Sequence, residues 1–213
     1  MHHHLKANMN VYGVCMGIVD GKPYAALTEE EGPTIQLWDL ISKQVINTLD
    51  ITADETNVPK SGNEAEGCVF DDENKHLLIS REGERGYLKA FKSDTLEMIK
   101  VVDSRDGNIT GDPEGVAIYA TSENDGYIIL SSQGGNEFNL YDRQNLTFIE
   151  KFKINGIEDT DGLDVTNNQV KGIFPNGFLV VQDGRNLPSN QNFKIISMEE
   201  VLKKKLSHHG STH

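Results

Sequence analysis

A fourfold recurrence of short strand-like runs, their period-2 alternation, and the Gly, Asp and Asn turns between them predict an all-β chain. Units of this kind read as β-propeller blades, about four of them with four strands each, followed by a short C-terminal helix. Alternation with period 2 rather than 3.6 argues against a helical solenoid. The 213 residues suit one large β domain or a short pair, and 37% hydrophobic with 25% charged residues allows a packed core.

Each unit opens on a polar or acidic residue, a Gly and an apolar run: Tyr12-Gly13-Val14, Glu66-Gly67-Cys68-Val69, Glu114-Gly115-Val116-Ala117-Ile118 and Asp161-Gly162-Leu163-Asp164-Val165. The last three openings lie 48 and 47 residues apart, close to the ~40–50 residues of a blade repeat. A second, more apolar run follows at Pro23 to Thr28, His76 to Ser80, Gly126 to Ser131 and Gly177 to Gln182, and these strands are expected to be the most buried. The third runs mix aromatic and aliphatic residues: Ile35 to Trp38, Tyr87 to Phe91, Phe138 to Tyr141 and Phe193 to Ile196. A fourth, half-exposed run closes three units at Val45 to Ile51, Met98 to Val102 and Phe148 to Ile154. The last unit enters a helix instead, opened by Ser197 and Glu200 and closed by Lys203-Lys204-Lys205, whose charge complements the helix dipole. The propeller domain is therefore assigned to residues 11–206, between a tag-like or disordered segment 1–10 and a tail 207–213, both rich in histidine.

Thirty-three acidic against 20 basic residues leave a formal charge of −13, which argues against nucleic acid and anionic membrane as partners. Cys15 and Cys68 are too few for a thiolate cluster or a disulfide framework; one disulfide is possible, and small buried hydrophobes is the expected role. No run reaches the ~18 apolar residues of a membrane span, and the first residues lack the apolar run of a signal peptide. His76 has no nucleophile near it in sequence, and Trp38 with the other third-run aromatics reads as blade packing.

Innermost strands of a propeller flank its channel, so the opening residues Tyr12, Glu66, Glu114 and Asp161 are expected around one mouth. Asp112 precedes Glu114 by two, and Glu82, Gln133 and Asp183 follow the returning second strands. Converging carboxylates repel unless neutralised, and hard cations such as calcium take these oxygen ligands.

The segments Glu64-Ala65-Glu66-Gly67, Asp71-Asp72-Glu73, Thr110-Gly111-Asp112-Pro113-Glu114-Gly115, Ser131-Ser132-Gln133-Gly134, Asp159-Thr160-Asp161-Gly162-Leu163-Asp164 and Val181-Gln182-Asp183-Gly184 resemble, in order and spacing, the β-propeller phytases. These are calcium-dependent enzymes that release phosphate from phytate, myo-inositol hexakisphosphate. The resemblance runs from about Val11 to Val201 and implies the last four blades of a six-bladed ring. It implies that Tyr12, Glu66, Glu82, Asp112, Glu114, Gln133 and Asp161 are ligands of a cluster of several calcium ions, with Glu66, Asp112 and Glu114 at the catalytic centre. It also implies attack on phosphorus by a calcium-bound water, a small phosphorylated substrate as the partner, and an extracellular or periplasmic location.

The departures matter too. The family's first two blades and their basic phosphate-gripping residues have no counterpart here, and Glu29-Glu30-Glu31 stands where the family carries a phosphate-binding lysine. A shorter segment before Asp161 removes one acidic ligand of a stabilising calcium and leaves Asp183 and Asn186 for it. Two other readings follow: a non-catalytic calcium-stabilised binding propeller, favoured by the missing cations, and a calcium-dependent lactonase or esterase, disfavoured by inner carboxylates in place of asparagines. A partial ring also predicts self-association through open blade edges.

Overall fold

The computed structural model describes residues 6–58 and 62–208. The histidines of Met1-His2-His3-His4 and those from 209 onward lie outside the described residues. Two compact units divide the chain, Met1–Arg105 and Asp106–His213.

The first unit holds two four-stranded antiparallel meanders. One runs β1 (Val11–Val19), β2 (Lys22–Glu29), β3 (Thr34–Asp39) and β4 (Gln44–Asp50); the other runs β5 (Ala65–Asp71), β6 (His76–Arg81), β7 (Tyr87–Lys92) and β8 (Met98–Ser104). In the second unit a third meander contains β9 (Asp112–Ala120), β10 (Gly126–Gln133), β11 (Glu137–Asp142) and β12 (Thr147–Phe152). The last sheet has three strands, β13 (Leu163–Thr166), β14 (Phe178–Asp183) and β15 (Asn192–Ser197), as the sequence predicts, and leads into α1 (Met198–His208). The helix thus takes in Ser207 and His208, assigned from sequence to the tail.

Turn chemistry sets the register. Val19 pairs with Lys22 across Asp20 and Gly21, both at positive φ, the two-residue hairpin for which Asp-Gly is suited. The turns between third and fourth strands share one five-residue form, in which Lys43, Leu96 and Leu146 sit at positive φ and donate to the carbonyls of Asp39, Lys92 and Asp142. At α1, the Ser197 hydroxyl accepts from Glu199 N–H (3.3 Å) and Glu199 pairs with Lys203 one turn on, while Met198 and Val201 are buried. Among the described residues no helix is long and apolar enough to cross a membrane.

The cores lie on the middle strands. Ile35, Leu37, Leu77, Ile79 and Phe91 pack in the first unit; Ile129, Phe138, Leu140, Leu179 and Val181 pack in the second. The third strands β3, β7 and β11 are as buried as the second strands, contrary to the expectation that the second would stand out. Each is flanked by strands on both sides, whereas β4, β8 and β12 form the exposed outer edges. Trp38 is buried, with its indole N–H on Gln36 Oε1 (3.2 Å), in keeping with a packing role. On β1, Val14, Met16 and Ile18 are exposed on one face.

Cys15 and Cys68 correct the sequence reading: they form a disulfide that joins β1 to β5, with Cα atoms 5.7 Å apart. Alternation turns each toward the neighbouring sheet, a juxtaposition that spacing in the sequence does not reveal.

The first unit also buries cations. Arg81 is fully buried and donates through Nη1 to both oxygens of Glu55 (2.8 and 2.9 Å), while Lys89, 1% exposed, reaches Asp54 Oδ1 (2.7 Å), Ile51 O (2.8 Å) and Glu55 Oε1 (3.4 Å). Both cations lie over the Tyr87 ring, whose hydroxyl donates to Ile51 O (2.8 Å). Burial pushes the Glu55 carboxyl up, but the hydrogen bonds and charges of Arg81 and Lys89 outweigh it and hold it below its ordinary value of 4.5.

Two outcomes follow from these contacts. The disulfide closes a sequence separation of 53, so the double substitution Cys15→Ser/Cys68→Ser should cost about 2–4 kcal/mol, read as the drop in denaturation midpoint without reductant. Glu55→Gln should cost about 3–5 kcal/mol at neutral pH, because it leaves buried cations under-compensated. Because the folded Glu55 carboxyl is the more acidic, its contribution is present above the ordinary carboxylate range and lost as pH falls through the folded value; acid titration of unfolding should be flatter in the variant.

Candidate functional site

In the three four-stranded sheets the opening register is a kink in the first strand. Val11 pairs with Glu29 and Val14 with Leu27, so Tyr12 and Gly13 together face the single residue Thr28. Glu66 and Gly67 likewise face Ser80, between the pairs Ala65–Arg81 and Cys68–Ile79. Glu114 and Gly115 face Ser131, between Pro113–Ser132 and Val116–Leu130. In the three-stranded sheet, Gln182 N–H donates to Gly162 O (2.9 Å) and the Gln182 amide oxygen accepts from Asp161 N–H (2.8 Å), so Asp161-Gly162 occupies the same place. Such β-bulges break the period-2 alternation and re-aim one side chain. Here the re-aimed residue is the one that precedes the glycine.

Two of these glycines, Gly13 and Gly115, are required by packing between sheets, whereas a Cβ on Gly162 would meet open space. A Cβ on Gly13 would stand 2.8 Å from the Glu66 carbonyl oxygen of β5, and one on Gly115 would stand 2.8 Å from Leu163 N and 2.9 Å from Asp161 O beside β13. In the first unit this brings the Tyr12 and Glu66 backbones together. In the second it brings together those of Glu114 and Asp161. Asp112 and Gln133 are cross-strand partners on β9 and β10, and Gln133 Nε2 donates to Asp161 Oδ1 in a very short contact while Gln182 Nε2 donates to Oδ2 (3.0 Å). Six of the seven expected ligands thus sit in or beside a bulge. Glu82 follows β6, with its N–H on Glu64 O (3.2 Å).

Glu66 and Glu114 are buried carboxylates, 7% and 5% exposed, whereas Tyr12 is 58% exposed. Two residues before Glu66, Glu64 Oε2 is buried without a hydrogen-bond partner among the described residues. Oxygens placed in this way, from carboxylates, a phenol and an amide, suit a hard cation. Among the described residues no three His, Cys, Asp or Glu side chains are already gathered as a metal site.

The other expected calcium position looks different. Asp183 and Asn186 line a cleft of about 310 Å³ with Gly156, Glu158, Arg185 and Leu187, and Lys194 Nζ already lies 3.0 Å from Asp183 Oδ2 and 3.3 Å from Asn186 Oδ1. Desolvation raises the Asp183 carboxyl, but Lys194 and the Glu158 N–H outweigh it and leave it below the ordinary range. An ammonium group stands where the cation was expected, so this pair does not fit calcium. At the Glu29-Glu30-Glu31 turn, Glu29 Oε2 accepts from Thr34 N–H (3.2 Å).

Thr28, Ser80, Ser131 and Gln182 were missed by the sequence reading. Their signal was present: each is the polar residue ending a second apolar run, in register with the acidic residue–Gly opening.

The family model described as Phytase matches residues 3–210. The chain belongs to the phytase family. A 3-phytase of Bacillus subtilis (strain 168) is 35% identical over 163 residues, which are 71% of this chain and 43% of that protein. This phytase-family chain thus matches less than half the length of that relative. Among solved structures it is similar to U3-55K, with a TM-score of 0.60 and 11% identity over 91% of this chain and 54% of that one. It is similar also to the WD40 repeats of RRP9, with a TM-score of 0.59 and 10% identity over 91% and 53%. Identities this low show the fold alone, and the fold is a β-propeller.

Gly115→Ala tests the packing account. Its new methyl group meets backbone that cannot rotate away, so a loss of about 1–3 kcal/mol is expected in denaturant unfolding, with the Asp161 amide perturbed in NMR spectra.

Proposed function

We propose that this chain provides the calcium-binding part of a phosphomonoester hydrolase acting on phytate. The observation that carries the reading is the bulge repeated in three sheets, which sets Tyr12, Glu66 and Glu114 at the same place, with Asp161 at the corresponding register of the fourth, in a phytase-family chain. Tyr12, Glu66 and Glu82 of the first unit, and Asp112, Glu114, Gln133 and Asp161 of the second, are the residues that would hold the ions. Calcium would supply positive charge to phosphoryl oxygens and lower the pKa of water. The chain's own part is to place carboxylates: backbone bulges orient Glu66 and Glu114, and paired amides of Gln133 and Gln182 orient Asp161. The 3-phytase relative supports phytate as substrate. The disulfide supports an oxidising, extracytoplasmic compartment.

A second reading, a calcium-stabilised propeller that binds without hydrolysis, is favoured by one observation. Arg81 and Lys89 are buried in carboxylate pairs and so are not presented to a phosphate ester.

Calcium titration followed by thermal unfolding, with phosphate release from phytate read on the same samples, separates the two. Under the leading reading calcium raises the melting temperature and supports release, and Glu114→Ala loses both. Stabilisation by calcium without release selects the binding propeller, and no calcium effect on the wild type overturns both.

A further inference from the structure

We propose that Thr28, Ser80 and Ser131 are positioning residues, whose hydroxyls lock the bulges that aim Tyr12, Glu66 and Glu114; the inference rests on the calcium reading above. All three are fully buried on strands otherwise rich in apolar side chains. A hydroxyl there costs more to bury than a methyl group unless it makes hydrogen bonds, and each does so to bulge backbone.

Thr28 spans two sheets. Its Oγ1 accepts from Gly13 N–H (2.7 Å) and donates to Glu66 O (3.2 Å), so one oxygen ties the bulge that carries Tyr12 to the bulge that carries Glu66. Ser80 Oγ accepts from Gly67 N–H (2.8 Å) and donates to Gly67 O (3.1 Å), closing the second bulge on itself. Ser131 Oγ donates to Gly115 O (3.3 Å) at the third. A bulge leaves its extra residue outside the strand ladder, and the direction of its side chain then depends on dihedrals that the ladder no longer restrains. The hydroxyls restore that restraint with side-chain bonds. Calcium takes oxygens at about 2.3–2.6 Å, so a rotation that carries a bulge side chain's oxygen out of that range removes it as a ligand.

The test compares Thr28→Val, which keeps shape and removes both bonds, with Thr28→Ser, which keeps the hydroxyl. Calcium affinity is measured by isothermal titration, calcium-free stability by thermal unfolding, and the Gly13 amide by hydrogen exchange. Thr28→Val should weaken calcium about tenfold, in the range for loss of a group that orients a metal ligand, and expose the Gly13 amide, while Thr28→Ser restores affinity to within about twofold. Wild-type calcium affinity in Thr28→Val, with the Gly13 amide exposed, would overturn the proposal, as would a Thr28→Ser variant no better than Thr28→Val. Should Thr28→Val not fold, Ser131→Ala against Ser131→Thr carries the same comparison at Glu114. If the wild type binds no calcium, the calcium reading fails, and backbone NMR shifts decide the rest. Movement of both the Tyr12 and Glu66 amides in Thr28→Val supports a lock on the two bulges, and movement confined to Gly13 overturns it.

Discussion

Close approach of two backbones at a glycine, where the first strand of one sheet meets the first strand of the next, is the constraint on which the rest depends. At Gly13 and Gly115 the neighbouring chain stands where a Cβ would be. At both glycines the first strand also carries a β-bulge, which interrupts its side-chain alternation. The residue before the glycine is re-aimed as a result. In this chain that residue is Tyr12 in the first unit and Glu114 in the second, so one packing solution within each unit also sets an oxygen-bearing position.

Charge is distributed in keeping with this. The buried cations Arg81 and Lys89 are used on Glu55 and Asp54, and Lys194 is used on Asp183. These pairs neutralise carboxylates away from the bulges, where a protein cation serves in place of a metal. Asp161 is held instead by the amides of Gln133 and Gln182, and the hydroxyls of Thr28, Ser80 and Ser131 bind bulge backbone. Neutral amides orient the Asp161 carboxylate without cancelling its charge. The disulfide from β1 to β5 begins three residues after Tyr12 and ends two after Glu66, so it holds the same junction that Thr28 bridges.

Much of this was determined by the sequence alone. Period-2 runs, Asp-Gly and Asn turns and a repeat of roughly 48 residues specify meander sheets, because strand pairing and turn conformation are local. The three strands of the last sheet among the described residues and the helix capped by Ser197 were legible for the same reason. The oxygen-bearing register could be read as well, since a repeat places equivalent residues in equivalent environments. Only the tertiary structure decided the remainder. Whether Cys15 meets Cys68, whether Lys194 rather than a metal serves Asp183, and whether Thr28 reaches Glu66 depend on which face of a strand turns toward its neighbour. A bulge shifts that face by one residue, and its effect on distant partners has no signature in local spacing.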